Sequence, residues 1–238
     1  DYAMKINKNI TFKSAYITDL FVELELVDQG RIYKIDIDGK PDIYYTGISI
    51  KNSEVGYSAF EVNILLYRQI CSNGLISPIF NKNFRRIHIG RKVEDEEYWN
   101  EDLIAENRYL INELNNLVHS AFDENNINKI LEKLSEYSKQ PIPSSIKFID
   151  ASKKVLGLSE QEKDMIWQNL ESKTRFGFIN AITQTAQYFT KIENKKPSER
   201  LRLEELAGEL LFKEQYWRDI ESEMLKKEDK TKTIEEFV

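Results

Sequence analysis

The sequence predicts an α+β protein, with an antiparallel sheet in the N-terminal part and a largely helical C-terminal half. Up to about residue 93, apolar and polar residues alternate in stretches, which is the period of a strand. From Glu94 onward, apolar residues recur every three or four positions, which is the period of a helix. The 238 residues, of which 41% are hydrophobic, can bury a substantial core. We therefore expect a β-rich part, 1–93, and a helical part, 94–238, packed as one domain.

Three runs in the first part predict strands, because β-branched and aromatic residues dominate them. They cover Phe21–Leu26, Ile32–Ile37 and Ile43–Ile50. Asp38-Gly39-Lys40-Pro41 separates the last two runs, and this composition is typical of a tight turn. The second and third runs are therefore expected to form a hairpin.

A fourth strand is predicted at Phe60–Ile64, where alternation resumes. From Leu65 to Cys71 the apolar run becomes continuous, so it finishes either as strand or as one or two helical turns. Of the two, we favour the strand passing into a short helix. Asn73-Gly74 then predicts a tight turn or a left-handed cap, since both residues tolerate positive φ.

Six helices are expected in the second part. Their boundaries follow from local signals such as Gly157 after an apolar run, Pro141, and Ser159 with Glu162 three residues later, which is a capping box. The expected helices cover residues 94–121, 127–137 and 146–156, a segment opened by Ser159, residues 175–189, and a last one that starts after Pro197-Ser198.

The last helix carries apolar residues at heptad-like spacing on one side. They are Leu203, Leu206, Leu210, Trp217, Ile220 and Met224. We expect this face to pack either on its own domain or on a second copy of the chain, which would make a homo-oligomer through the C-terminal helix.

Composition excludes several classes of protein. One cysteine and two histidines exclude a disulfide framework and a common zinc site, so no metal and no cofactor are expected. No run approaches the roughly 20 apolar residues of a bilayer span, and the first residues do not form a signal peptide. We therefore expect a cytoplasmic protein without a membrane partner.

Catalytic motifs are missing from the sequence. It contains no P-loop, no nucleophile elbow and no H-E-x-x-H pattern, which argues against an enzyme. A metal-assisted nuclease using Glu54, Asp36 or Asp38 is a minor alternative, because these carboxylates lack metal-ligand spacing. Cys71 and His119 each stand alone. Cys71 is interpreted as a small buried apolar residue, and His119 as a boundary residue beside the apolar stripe of its helix.

A basic segment interrupts this acidic protein. Its net charge is −6, yet residues 62–93 contain six Lys or Arg and no acidic residue. Cations bind phosphates and aromatic faces stack on bases, the combination used for single-stranded nucleic acid. We call the expected nucleic-acid-binding residues the basic strip: Tyr67, Arg68, Phe80, Lys82, Phe84, Arg85, Arg86, His88, Arg91 and Lys92. The alternative is that Phe80 and Phe84 belong to the core and that the arginines pair with the acids of residues 94–102.

Short motifs occur in a fixed order along the chain. They are Asn52-Ser53-Glu54-Val55-Gly56, then Arg68-Gln69-Ile70-Cys71-Ser72-Asn73-Gly74-Leu75, then His88-Ile89-Gly90, and finally Asn180-Ala181-Ile182-Thr183. This order resembles a family of phage/plasmid-like proteins known as domain of unknown function 932. The family-motif residues are Asn52, Ser53, Glu54, Gly56, Cys71, Asn73, Gly74 and Asn180. The polar residues and the glycines of these motifs can alternatively be interpreted as turn residues.

The resemblance implies a protein of a mobile element that acts in DNA metabolism or against the host, and it implies no catalytic residue. Two functions are therefore expected. The first is non-enzymatic binding of single-stranded DNA through the basic strip. The second is a protein-interaction module, an inhibitor or scaffold acting on a host or phage protein, with the acidic helices and the C-terminal heptad face as its contact surface.

Overall fold

The computed structural model describes residues 8–37, 39–53, 55, 60–69, 73–77, 108–109, 111–112, 115–116, 118–119, 122–143, 145–191 and 197–235. Within these ranges, strands come first and helices follow, so the predicted α+β class is confirmed. The predicted boundary at residues 93 and 94 lies outside the described residues.

The strands lie side by side in chain order. They are β1 (Ile10–Ile17), β2 (Val22–Ile37), β3 (Lys40–Asn52), β4 (Glu61–Arg68) and β5 (Asn73–Ser77). β1 and β2 are antiparallel, with Ile17 opposite Val22 and a bulge between Phe12 and Ser14. The connections between the other neighbours are shorter than the dozen or so residues that a parallel crossover needs, so the sheet is an antiparallel meander.

The predicted hairpin is confirmed, because β2 and β3 meet at Gly39, whose φ of 77° lies in the left-handed region that favours glycine. Four details differ. The first two predicted runs form one continuous strand, β2, and β1 was not expected. β4 stays extended to Arg68 where a short helix was expected, and Asn73-Gly74 lies in β5 where a turn was expected. Pairing with neighbouring strands outweighs local preference in each case.

The described residues divide into two compact units. Unit 1 takes those up to residue 34, residues 43–67 and those from 77 to 130. Unit 2 takes residues 35–42 and 68–76 and those from 131 onward. The turn of the β2–β3 hairpin and the end of β4 therefore belong with the helices.

The sheet of unit 1 buries acidic side chains. Glu23 and Glu25 of β2 are 0% and 2% exposed. Ser49 donates a hydrogen bond of 2.7 Å to Glu23, and Tyr67 donates one of 2.6 Å to Glu25. These bonds satisfy carboxylates that burial would otherwise penalise. The apolar residues of the same strand, which alternate with the acidic ones, therefore lie on the opposite face.

The helices follow the expected order. They are α1 (Glu124–Ser138), α2 (Ile146–Leu156), α3 (Glu160–Gln168), α4 (Arg175–Lys191), α5 (Pro197–Phe212) and α6 (Glu214–Glu235). Gly157 ends α2 with φ 64° and ψ 36°, and Ser159 and Glu162 form the predicted capping box of α3. The described residues between 108 and 119 are helical as well. The remainder of that predicted helix, back to Glu94, lies outside the described residues.

The predicted last helix is two helices, α5 and α6, separated at Lys213. Its heptad face is buried within unit 2: Leu203, Leu210 and Ile220 are 0% exposed and Trp217 is 2% exposed. Packing on its own domain is therefore the correct alternative. Because these side chains are already covered, this face is not free for a second copy or for a partner protein.

Aromatic rings fill the core of unit 2. Trp217 lies edge-on to Tyr137 at 5.8 Å and to Phe178 at 6.0 Å between ring centroids, and Phe178 lies 5.1 Å from Phe148. The Trp217 indole donates a 2.8 Å hydrogen bond to the Leu210 carbonyl, which satisfies its one polar group. α1, α2, α4 and α6 thus meet in one cluster.

Arg175 closes this cluster from one side. Its guanidinium lies 4.8 Å from the Trp217 ring and 5.3 Å from the Tyr137 ring, and it donates a 2.6 Å hydrogen bond to Glu214. Burial alone would raise the pKa of the Glu214 carboxyl, but hydrogen bonds from Arg175 and Tyr137 outweigh it and lower that pKa below 4.5. Burial and the bond to Glu214 raise the pKa of Tyr137 to about 12.

The lowered pKa of Glu214 predicts a pH dependence. The ionised carboxylate stabilises the fold above pH 4.5, and this contribution is lost as the pH falls through the lower folded pKa. We expect Glu214→Gln to cost about 1 kcal/mol at pH 7, since the side chain is 42% exposed and solvent screens the pair. Urea unfolding should show this difference shrinking towards pH 3. Glu221→Gln is the control, because Glu221 lies 3.9 Å from Arg175 and is 65% exposed, and an equal effect there would contradict the prediction.

Candidate functional site

A cleft of about 330 Å³ lies entirely within unit 2. Its walls come from the β2–β3 hairpin, the end of β4, the α3–α4 connection and the first turns of α4. The lining residues are Ile37, Lys40, Pro41, Asp42, Arg68, Asn169, Glu171, Ser172, Phe176, Gly177, Asn180 and Gln184. This volume lies in the range of small-ligand pockets.

Arg68 is held in a defined orientation in this cleft. Its Nε donates to both carboxylate oxygens of Asp42, at 2.8 and 2.9 Å. The centre of its guanidinium lies 5.4 Å from the ring centroid of Phe176. The Arg68 side chain is 15% exposed and that of Asp42 is 3% exposed, so the pair is largely removed from water. Two partners from different elements therefore fix the plane of the guanidinium.

One face of α4 forms the opposite wall. Phe176, Asn180 and Gln184 are four residues apart, and this spacing places them on one side of a helix. Gly177 permits the close approach of the preceding loop, since a Cβ there would lie 2.0 Å from the Ser172 carbonyl oxygen. The Thr174 hydroxyl accepts a 3.1 Å hydrogen bond from the Gly177 amide, which caps the start of the helix.

The remaining wall provides hydrogen-bonding groups of both kinds. Lys40 and Glu171 are exposed, and Asn180 and Gln184 are half-buried. Asn169 donates a 3.1 Å hydrogen bond to the Thr185 hydroxyl, which fixes its amide. With two cations and two carboxylates the wall is close to neutral, so it suits a ligand that offers donors and acceptors rather than one that offers charge alone.

The structure separates the two described residues of the basic strip. Arg68 lies in the cleft, whereas Tyr67 is 4% exposed in unit 1 and donates to Glu25. The Lys13 ammonium lies 3.1 Å from the Tyr67 ring centroid, so this face of the ring is already occupied. Tyr67 is therefore a core residue and not a platform for a base. The other strip residues lie outside the described residues: Phe80, Lys82, Phe84, Arg85, Arg86, His88, Arg91 and Lys92.

The family-motif residues lie in several places. Asn180 is in the cleft, while Asn52 and Ser53 belong to unit 1. Ser53 donates a 2.6 Å hydrogen bond to the Leu20 carbonyl, as a turn residue would. Asn52 Oδ1 is buried and accepts no hydrogen bond from the described part of the chain. Asn73 and Gly74 lie in β5, and Glu54, Gly56 and Cys71 lie outside the described residues.

Two motifs that are distant in sequence thus meet in the cleft, through Arg68 and Asn180. Sequence reasoning missed most of the other lining residues, including Asp42, Phe176 and Gln184. Lys40 was interpreted only as part of a turn. Asp42 carried a usable signal, since an acidic residue that interrupts a buried strand often has a cationic partner.

Among the described residues, no three His, Cys, Asp or Glu side chains come together as metal ligands. Of the acids considered for a nuclease, Asp36 accepts a 2.8 Å hydrogen bond from the Gly39 amide, while Asp38 and Glu54 lie outside the described residues. The helices in the described ranges are all too short or too polar to cross a bilayer.

Comparison with known proteins finds no matching family model, no matching curated protein and no matching solved structure.

We expect Asp42→Ala to destabilise the protein strongly, because it leaves Arg68 partly buried without its carboxylate. Removing one partner of a buried ion pair costs about 3 kcal/mol or more, which urea unfolding would measure. Asp164→Ala is a matched control. Its carboxylate lies 3.7 Å from Lys163 and is 64% exposed, so its loss should cost less than about 1 kcal/mol. Equal costs for the two variants would show that the Arg68–Asp42 pair is not a structural constraint.

Proposed function

We propose that this chain is a non-enzymatic protein that binds single-stranded nucleic acid through the basic strip from Arg68 onward, in the DNA metabolism of a mobile element. The observation that carries the proposal is the orientation of Arg68. This residue opens the segment of six cations without an acid, and it lies in a cleft instead of extending into solvent.

An oriented arginine is suited to nucleic acid. A guanidinium that is already held loses less side-chain entropy when a ligand binds. Its planar shape matches a phosphate and can also stack on a base. Asp42 and Phe176 hold Arg68 without filling the cleft, which leaves about 330 Å³ beside it.

Charge along the chain supports the same proposal. Five of the six cations follow Arg68 within residues 82–92, interleaved with Phe84 and His88. Local positive charge binds phosphates even where the total charge is negative, because salt screens the acidic residues that lie beyond about 10 Å. The resemblance to phage/plasmid-like proteins adds the mobile-element context.

The proposal predicts salt-sensitive binding. Fluorescence anisotropy with a single-stranded oligonucleotide at about 50 and 200 mM salt should show affinity falling steeply as salt rises. Arg85→Ala with Arg86→Ala should weaken binding to all sequences and lower the salt slope by about 2, one unit for each phosphate that is no longer neutralised. The double variant Lys129→Ala with Lys139→Ala is the control, since it removes the same charge from exposed positions outside the strip.

Two results would count against the proposal. One is an absence of binding at about 50 mM salt, and the other is an equal loss of affinity in the control variant, which would indicate a general charge effect. A duplex of the same sequence, included beside the single strand, shows whether unpaired bases are required.

A protein-interaction module is a second candidate, and an exposed apolar surface favours it. On the outer face of β1 and β2, Phe12 and Ile17 are 57% and 76% exposed, and Val22 and Leu24 are 37% and 38% exposed. The register pairs Ile17 with Val22, so their side chains adjoin. Exposed apolar patches often mark protein contacts. This surface replaces the C-terminal heptad face that the sequence suggested.

The same titration discriminates the two candidates. An interaction module would leave the oligonucleotide anisotropy unchanged at every salt concentration. It would instead retain a protein partner in a pull-down, and Ile17→Asp with Leu24→Asp would release that partner.

A further inference from the structure

We propose that the cleft of unit 2 holds one unpaired base of the bound strand and prefers cytosine or adenine, whose amino groups are N4 and N6, over thymine. This inference rests on the proposed function, and it states which part of a bound strand the cleft recognises.

The balance of charge in the cleft favours a base over a phosphate. A phosphate would meet the carboxylates of Asp42 and Glu171 in the same wall as Lys40 and Arg68. A base is neutral, so it avoids this repulsion, and its edge carries both donors and acceptors. The wall of the cleft offers hydrogen-bond donors and acceptors that can pair with this edge.

Arg68 provides the flat surface that such a ligand needs. One side of its guanidinium faces the Phe176 ring, at 5.4 Å from the centroid, and Asp42 holds the Nε edge. The cleft lies beside this fixed group. Unpaired bases stack on guanidinium planes as they do on aromatic rings.

The edge of the base would meet Asn180 and Glu171. The Asn180 side chain is half-buried on α4 and can donate and accept at once. Glu171 is exposed at the rim, and an ionised carboxylate only accepts hydrogen bonds. Cytosine N4 and adenine N6 donate hydrogen bonds, whereas thymine presents the O4 acceptor there and would face the carboxylate unfavourably.

The test compares fluorescein-labelled dC12 and dT12 by anisotropy at one salt concentration. We expect the full chain to bind dC12 about tenfold more tightly, the discrimination of one good base contact. Glu171→Gln should remove or reverse this preference, because the amide can also donate to thymine O4. Glu132→Gln, an exposed carboxylate in α1 outside the cleft, should leave the preference unchanged.

An abasic strand of the same length checks that a base is held. Asn180→Ala should weaken dC12 binding about tenfold and leave binding of the abasic strand unchanged, because the amide bonds to the base and not to the backbone. Strands that bind with salt sensitivity but without preference, or with a preference that Glu171→Gln retains, would overturn the inference and leave the proposed function standing. An absence of binding to every strand would overturn both.

Discussion

The ion pair between Arg68 and Asp42 is the constraint on which the candidate site depends. A buried carboxylate needs a cation or hydrogen-bond donors beside it. Here the partner is a cation from the end of β4, while the carboxylate comes from the β2–β3 hairpin. Phe176 adds a contact from α4. Three segments that are far apart in sequence thereby meet in unit 2, and the cleft is the space that they leave.

Unit 1 uses buried carboxylates for a different purpose. Glu23 and Glu25 accept hydrogen bonds from Ser49 and Tyr67, so the buried face of β2 carries polar contacts here, while Val22 and Leu24 lie on the exposed face. These hydrogen bonds to buried carboxylates help to specify strand register, because a slip of one residue would leave the carboxylates without these partners. The hydrogen bond from Tyr67 to Glu25 explains why Tyr67 is a core residue, while its neighbour Arg68 lines the cleft.

Local signals predicted the parts of this protein that depend on local contacts. Gly157 and the capping box of Ser159 and Glu162 mark helix ends through bonds within one turn, and they were identified correctly. The division of the last helix at Lys213 and the strand β1 depend on contacts with other elements, so periodicity alone did not reveal them. The cleft could not be predicted for the same reason: Asp42 was one polar residue in an apolar run, and Arg68 one cation among six. Their meeting is a property of the fold.

Photo-crosslinking tests the account most directly, because it reports which residues contact the strand. A single-stranded oligonucleotide carrying 5-iodocytosine, bound to the full chain, irradiated and digested, would be mapped by mass spectrometry. We predict crosslinked peptides from the start of α4, residues 176–184, and from the basic strip. Crosslinks confined to the outer face of β1 and β2, or an absence of crosslinks under conditions where the strand is bound, would contradict the assignment of the cleft as the site that holds a base.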